Sequence, residues 1–366
     1  MILGYVLDDT LDKEDGVQKA VIDIAEHMRS LGHDVHYIVP DTKRTDLKNV
    51  HSVARIMSMK FNGNSVRTPL PASRRKIKQL MRGVAFDAIH VQMPYSPLLA
   101  ARVVRYAPPR TRIVGTFHIL PYNWTARFGT KLLGMWLWRN KKRFNTVYAV
   151  SPPALRFMQQ DFGLDGSVLP NPVDYEFFNS YATKQKNSTT KIIFVGRFEE
   201  RKGVKQLVEA YSLLDEDTRN SIELKMCGKG PLLEELKAAA SGTVLDIKFP
   251  GFISDEQKAQ FLAESDIAIF PSTGGESFGI VLTEAMAAGA GVTLGGNNPG
   301  YASVLEPWPE ALFDATSPQS IADKITEVSK NRTKYTEIGK SQQKAVEQYD
   351  INVVANHLLQ NAYEDS

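Results

Sequence analysis

The chain has 366 residues, 43% of them apolar and 23% charged, with a net charge of +3. That length favours two domains, and the balance is that of an ordinary soluble globular protein, which excludes a disordered or fibrous chain. A lone cysteine, Cys227, excludes an internal disulfide and a cysteine metal cluster, and no uninterrupted apolar run is long enough to span a membrane.

Residues 1–7 form an apolar run that reads as a buried strand. It is too short, and too soon followed by acid residues, for a signal peptide, so a cytoplasmic location is expected. An acidic loop from Asp8 leads to Gly16. Val21, Ile24, Ala25, Met28 and Leu31 then step at helical spacing, with Gly32 as the stop. Residues 35–39 give the next strand and complete a βαβ unit, without the GxGxxG of a dinucleotide fingerprint. Residues 40–72 read as irregular, with a polar loop over 62–67. In 73–82 the apolar Ile77, Leu80 and Met81 share one helical face, and Arg74, Arg75, Lys76, Lys78 and Arg82 crowd the others. Such a helix can lie on an anionic membrane, and a solvated charged face explains it equally well.

Further strands are expected at 87–91, 112–116 and 146–150. Between them, residues 124–144 hold Trp124, Trp136 and Trp138 beside Arg139, Lys141, Lys142 and Arg143, a mixture suited to a headgroup interface. The net charge conceals an asymmetry that supports this. Residues 1–172 carry 25 Lys and Arg against 13 Asp and Glu, and residues 173–366 carry 19 against 28. A one-sided basic field points to an anionic partner. The aromatics do not fall on a recognisable nucleic-acid module, which leaves the membrane as the expected surface.

After a polar, linker-like stretch at 180–190 a second alternation begins. Strands are expected at 191–195, 222–227, 244–249, 266–270 and 291–294. Helices are expected at 204–214, 231–240, 255–264, 280–288 and 320–330, with 333–363 mostly helical. Two successive βα alternations predict an α/β protein of two Rossmann-like domains facing each other across a cleft. The first comprises residues 1–172 with a returning helix near 350–366, and the second residues 173–349.

The chemistry concentrates in the second half. The strand at 266–270 runs through Pro271, Gly274 and Gly275 into a helix starting near Ile280. A loop-to-helix junction aims open N–H groups and a positive dipole end at one spot, which suits a phosphate. Glu276 and Glu284 flank that spot, although carboxylates repel phosphate. Hydrogen bonding to sugar and ribose hydroxyls would explain them. Arg197 and Lys202 follow the strand at 191–195, at the end where open α/β sheets bind ligands, and both suit phosphate oxygens. Glycines at 228, 230 and 251 also follow strands and would let backbone approach a base or ribose. Asp215-Glu-Asp217 formally fits a metal-binding Asp-x-Asp, but it reads as a surface helix end, so no metal is expected.

Gly-Arg-Phe-Glu-Glu-Arg-Lys-Gly at 196–203, Gly-Lys-Gly-Pro at 228–231 and Glu-Ser-Phe-Gly-Ile-Val-Leu-Thr-Glu-Ala at 276–285 together resemble the retaining nucleotide-sugar glycosyltransferases of family 4, which have the GT-B fold. The resemblance covers nearly the whole chain. Residues 168–174 look like the family's hinge approach, and 349–354 like its last, returning helix. Within the family it is most similar to the phosphatidylinositol mannosyltransferases, through Gly16-Val-Gln18, the 62–67 loop, the basic helix, Thr116-Phe-His118 and 274–281.

The resemblance implies roles. Arg197 and Lys202 would hold the donor pyrophosphate, and the stretch Ser277, Phe278, Gly279, Ile280 and Val281 would bind phosphate and sugar hydroxyls. Glu276 would position the donor sugar and Glu284 the ribose. Gly228, Lys229 and Ile253 would line the nucleoside, and Gly16 would let the first domain's loop close on the diphosphate. His118 would contact the sugar near the acceptor. Gln18, Asn62, Ser65 and Arg67 would face the acceptor headgroup. Arg74, Arg75, Lys76, Lys78, Trp136 and Trp138 would meet the membrane. The implied reaction is metal-independent transfer of a hexose, mannose from GDP-mannose, to a lipid headgroup with retention, by an enzyme peripheral on the inner face of the cell membrane. UDP- and ADP-sugars are the other candidate donors. A soluble or lipid-diphosphate-linked glycan is the other candidate acceptor, and a nucleotide-sugar epimerase is the alternative reaction. The sequence departs from the family pattern at Asp8-Asp9, at Asp15 before Gly16, at Gln92-Met-Pro94 and at 295–301, and these positions leave the acceptor open.

Overall fold

In the computed structural model, residues 1–12, 16–61, 64–120, 138–182, 189–241 and 246–364 are described, with side chains except at 57–61, 64–69 and 138–139. The chain divides into two units, Met1–Pro172 with Ile351–Ser366, and Val173–Asp350.

The first unit is built on a parallel sheet ordered β3-β2-β1-β6-β7-β8-β9. Its strands are β1 (Ile2–Val6), β2 (Asp34–Pro40), β3 (Val50–Ala54), β6 (Ala88–Val91), β7 (Arg112–Phe117), β8 (Thr146–Ala149) and β9 (Ser167–Val168). The strand order reverses between β1 and β6, which makes the carboxyl ends of those strands the ligand-binding edge of a doubly wound sheet. Helices cover both faces, so the central strands are largely apolar, with His36, His90 and Thr116 as buried polar exceptions. On one face, Ile24 and Met28 of the helix Gly16–Ser30 pack with Val354 and Leu358 of the helix Ile351–Leu358. On the other, Ile77, Leu80 and Met81 of the helix Arg74–Gly83 pack with Val103 of the helix Ala100–Tyr106.

The expectation of an irregular stretch over 40–72 is overturned. It contains the edge strand β3 and an antiparallel hairpin, β4 (Ile56–Phe61) with β5 (Asn64–Pro69), in which Phe61 pairs with Asn64. The Asn62-Gly63 dipeptide between two strand-like runs is a hairpin signal that the polar composition concealed.

The second unit repeats the plan with a parallel sheet ordered β12-β11-β10-β13-β14-β15. Its strands are β10 (Thr190–Val195), β11 (Ile222–Cys227), β12 (Ile247–Gly251), β13 (Ile267–Phe270), β14 (Thr293–Gly296) and β15 (Leu312–Phe313). The reversal falls between β10 and β13. β12 and β14 begin two or three residues later than the apolar runs suggest, because pairing sets the boundary, with Ala268 opposite Thr293. The helix Pro299–Leu305, within the stretch that departs from the family pattern, follows from Asn298 as its cap and Pro299 at its first position.

Candidate active site

In the second unit the ends of β10 and β13 bring four polar side chains together. A short 3-10 turn, Glu200–Lys202, follows β10. Gly203 then turns with φ 68°, and a Cβ there would lie 1.8 Å from the carbonyl oxygen of Pro271, so glycine alone lets the two loops close up. The backbone N–H of Thr273 donates to the carbonyl of Arg201 at 2.9 Å and stitches them. Across this seam the Oε1 of Glu276 accepts from Arg201 Nη1 and Lys202 Nζ, each at 2.8 Å, and from the Ser272 hydroxyl at 2.9 Å. Burial alone would raise the Glu276 carboxyl, but Lys202 and Arg201 outweigh it and hold the group below its ordinary value.

Arg197 stands one carboxylate further out. It pairs with Glu199, which also reaches Arg201 Nε at 3.5 Å, and its side chain is 55% exposed. Of the two expected cations, Lys202 therefore sits on Glu276 and Arg197 does not. Arg201, which sequence reasoning missed, takes the second place. Its signal was present in the run Glu-Arg-Lys-Gly, where either arginine could serve, but only the 3-10 turn selects the one that points back.

Gly279 precedes the helix Ile280–Ala287 at φ 115° and provides no side-chain cap. The Tyr301 ring occupies the space a Cβ would need, 2.6 Å away, so the open helix start requires glycine. Asn298 supports the same loop, donating through Nδ2 to the Ser272 carbonyl at 3.0 Å. The unusual 295–301 stretch is thus the underside of this loop. Ser277, Ile280 and Val281 are half-buried at its mouth, and Phe278 is buried edge-on to Tyr349. A helix start without a side-chain cap, near the Lys202 and Arg201 cations, has the chemistry that suits an anion.

Glu284 lies inside the helix and is buried, bonded to Lys258 Nζ at 2.7 Å. Lys258 also holds Asp255 at 3.0 Å and lies over the Phe178 ring. Burial works against the Lys258 charge, and Glu284 with Asp255 outweighs it, so the ammonium is held above its ordinary pKa. Nothing in the sequence spacing announced Lys258, because it comes from a separate helix, Asp255–Ala263. The nucleoside candidates form a shelf at neighbouring strand ends. Gly228 N–H donates to the Gly251 carbonyl at 2.7 Å, and the Lys229 carbonyl accepts from Phe198 N–H at 2.9 Å. Lys229 Nζ lies over Phe252, and Ile253 is half-buried beside it. Asp215 caps the helix Glu216–Asn220 and bonds Thr218, the surface helix end that was expected.

In the first unit, Gln92 and His118 follow β6 and β7, and His118 Nε2 meets Gln92 Oε1 at 2.8 Å. Gly16 is the exposed first residue of its helix, and Gln18, buried, donates to Asp9 at 3.0 Å. Asp8 is buried and accepts from the N–H groups of Leu99 and Ala100 at 3.0 and 2.8 Å and from the Ser96 hydroxyl. It holds the start of the helix Ala100–Tyr106, and burial raises its carboxyl to about 6 in spite of those donors.

Of the other expected residues, Asn62 and Trp136 lie outside the described residues. Ser65 and Arg67 are on β5, opposite Lys60 and Ser58, and Trp138 opens a helix, Trp138–Lys141, with no side chain described for any of the three. On the helix Arg74–Gly83, Ile77, Leu80 and Met81 are buried while Arg74, Arg75, Lys76, Lys78 and Arg82 are exposed, so the amphipathic reading holds. Lys76 reaches the Ser52 carbonyl at 2.9 Å. Among the described residues no helix is long and apolar enough to cross a membrane.

Residues 15–177 match the family model for glycosyltransferase family 4, and residues 178–345 the model for group 1 glycosyl transferases. The phosphatidyl-myo-inositol mannosyltransferase of Mycobacterium leprae is 30% identical over 98% of this chain and 96% of its own. That of Mycolicibacterium smegmatis is 31% identical over 80% and 75%. The fold is shared with Anabaena Alr3699/HepE, solved in complex with UDP and glucose, at TM-score 0.77 and 17% identity over 98% of each chain. Trehalose-6-phosphate synthase OtsA shares it at TM-score 0.74 and 10% identity over 100% of each.

Two doubly wound domains with these relatives define a glycosyltransferase of the GT-B class. Within that class the chain belongs to glycosyltransferase family 4, in the group that resembles the phosphatidyl-myo-inositol mannosyltransferases.

Proposed function

We propose that the protein transfers mannose from GDP-mannose to the inositol headgroup of a phospholipid at a membrane surface, with retention and without a metal. The observation that carries the transfer chemistry is the Lys202–Glu276–Arg201 cluster beside the open start of the helix Ile280–Ala287. Cations and a helix dipole stabilise a departing diphosphate, whose own oxygen then takes the acceptor's proton on the front face of the sugar. Glu276 accepts from sugar hydroxyls and Glu284, anchored by Lys258, from the ribose. Arg197 closes over the outer phosphate. The mannosyltransferase relatives support the sugar and the lipid, and the exposed basic face of the helix Arg74–Gly83 supports an anionic surface. A location on the inner face of the cell membrane belongs to the same reading.

The test is incubation with GDP-mannose and vesicles containing phosphatidylinositol, with and without a chelator, followed by mass spectrometry of the lipid. A lipid heavier by one hexose in both arms is expected. Turnover only with a UDP- or ADP-sugar, or only with a soluble glycan, would replace the donor or the acceptor. Consumption of the donor with no acceptor present would favour an epimerase.

A further inference from the structure

The charges at the ends of β10 and β13 form a ladder that alternates in sign. Arg197 pairs with Glu199, and Glu199 reaches Arg201 Nε at 3.5 Å. Arg201 and Lys202 then meet Glu276 at 2.8 Å each. Three cations against two carboxylates leave one net positive charge. A nucleoside diphosphate carries more negative charge than that, so it must draw cations away from carboxylates. The two ends of the ladder differ in how readily they yield. Glu276 is 13% exposed and also takes the Ser272 hydroxyl, whereas Arg197 is 55% exposed and turns in solvent.

The backbone builds the Arg197–Glu199 pair. Glu199 N–H donates to the Arg197 carbonyl at 3.0 Å, a three-residue turn that brings the two flanking side chains together. Phe198 between them is buried and pinned. Its N–H donates to the Lys229 carbonyl at 2.9 Å, and its own carbonyl accepts from Leu232 N–H at 3.2 Å. A Cβ on Gly230 would lie 2.3 Å from that carbonyl oxygen, so glycine permits the close approach. The neighbouring Glu200 is turned elsewhere, onto Lys205 at 2.9 Å, which Glu235 also holds at 2.8 Å. Of two adjacent glutamates, only Glu199 is set against Arg197 and Arg201.

We propose that Glu199 competes with the diphosphate for Arg197, so that the guanidinium passes from carboxylate to phosphate as the donor binds and returns as the nucleoside diphosphate leaves. The diphosphate rests on the transfer reaction proposed above; the competition rests on the ion pair and its turn. Glu199 is a positioning residue, acting through Arg197. A carboxylate fixed two residues away acts at high effective concentration and recaptures the cation without a conformational search. Product release limits many enzymes that bind a polyanion tightly, and a built-in competitor speeds that step. An ion pair this exposed is weak, so it tunes affinity by about fivefold and does not close the site.

Titration calorimetry with GDP, UDP and ADP, beside stopped-flow displacement of the bound diphosphate, reads the exchange. Glu199→Gln is expected to tighten the nucleoside diphosphate about fivefold, through slower release. A packing defect would weaken binding instead, so the sign separates the two. Glu200→Gln removes the same charge one residue away and is expected to change neither affinity nor release. In an Arg197→Gln background, Glu199→Gln is expected to have no effect, because the contested cation is gone. Unchanged or weaker binding in Glu199→Gln, equal tightening by Glu200→Gln, or a gain that persists without Arg197 each overturns the proposal. An unaltered protein that binds none of the three diphosphates overturns the donor reading and this proposal together. One that binds a diphosphate but is indifferent to Glu199→Gln overturns this proposal alone.

Discussion

Lys202 Nζ lies 2.8 Å from Glu276 Oε1, although the two residues come from the ends of different strands. The carboxylate thus occupies a cation that the proposed reaction needs for phosphate. Each donor molecule must divide Lys202 and Arg201 between its own charge and that of Glu276.

Glu276→Gln removes that competitor. GDP binding should be unchanged or tighter, while kcat falls about 100-fold through loss of the sugar contact and of charge balance in the transition state. Lys202→Ala should weaken GDP as well. Titration calorimetry beside steady-state rates separates these outcomes. A Glu276→Gln protein that lost GDP binding in step with activity would contradict the division of roles.

In the Lys258–Glu284 pair the carboxylate is buried and the lysine side chain is 12% exposed. Lys258→Met leaves a buried carboxylate without its cation and should destabilise the fold by about 3 kcal/mol. Adding Glu284→Gln should return part of that loss in thermal unfolding. If the double variant is no more stable than the single one, the pair does not hold the helix Ile280–Ala287 in place.

Gly279→Ala forces a Cβ into the Tyr301 ring at a φ of 115°. A cost of about 2 kcal/mol is expected from backbone strain alone, with a larger fractional loss of donor binding because the helix start moves. Unfolding midpoints and calorimetric affinity, measured on one preparation, check both.

Two buried histidines set the acid limit of stability. His118 is lowered to about 4, by burial, and His90 to about 3, by burial and the neighbouring His118, against an ordinary 6.5. The unfolded chain binds these protons more readily, so their contribution is complete above about pH 6.5 and is lost as pH falls towards 4. His118 alone accounts for about 3 kcal/mol over that range. Asp8, raised to about 6 from 3.8, acts oppositely: the folded state keeps a proton the unfolded chain has released, so stability falls as pH rises between those values. Asp8→Asn should therefore steepen the acid-side loss in a denaturant series, and His90→Gln should flatten it.

On the helix Arg74–Gly83, replacing Arg74, Arg75 and Lys78 by serine leaves the buried Ile77, Leu80 and Met81 in place. If this face meets anionic lipid, each charge is worth about 1 kcal/mol, and the triple variant should lose about 100-fold in vesicle partitioning. Flotation at low salt reads it, and equal partitioning of both proteins would remove the membrane from the reading.

Much of this was legible in the residues. The alternation of apolar runs with helical spacing located the central strands of both sheets, because a parallel sheet buried on both faces leaves them largely apolar, and missed β3, β9 and β15 at the edges. Pairing, not composition, fixed the ends of β12 and β14. The hairpin β4–β5 escaped because a strand with polar neighbours carries little periodicity without its partner.

The sequence by itself determined the family and the loop-to-helix stretch from Glu276 to Glu284, since glycine at a forced turn and charge beside a helix start are local requirements. Only the tertiary structure decided which side chains meet there. It chose Arg201 over Arg197 at Glu276, tied Lys258 to Glu284, and set Gln92 against His118. Each of those pairs joins residues from 26 to 75 positions apart. Hydrogen bonds act over a few ångströms in space, so their partners are chosen by strand order and turn geometry, and no spacing along the chain records them.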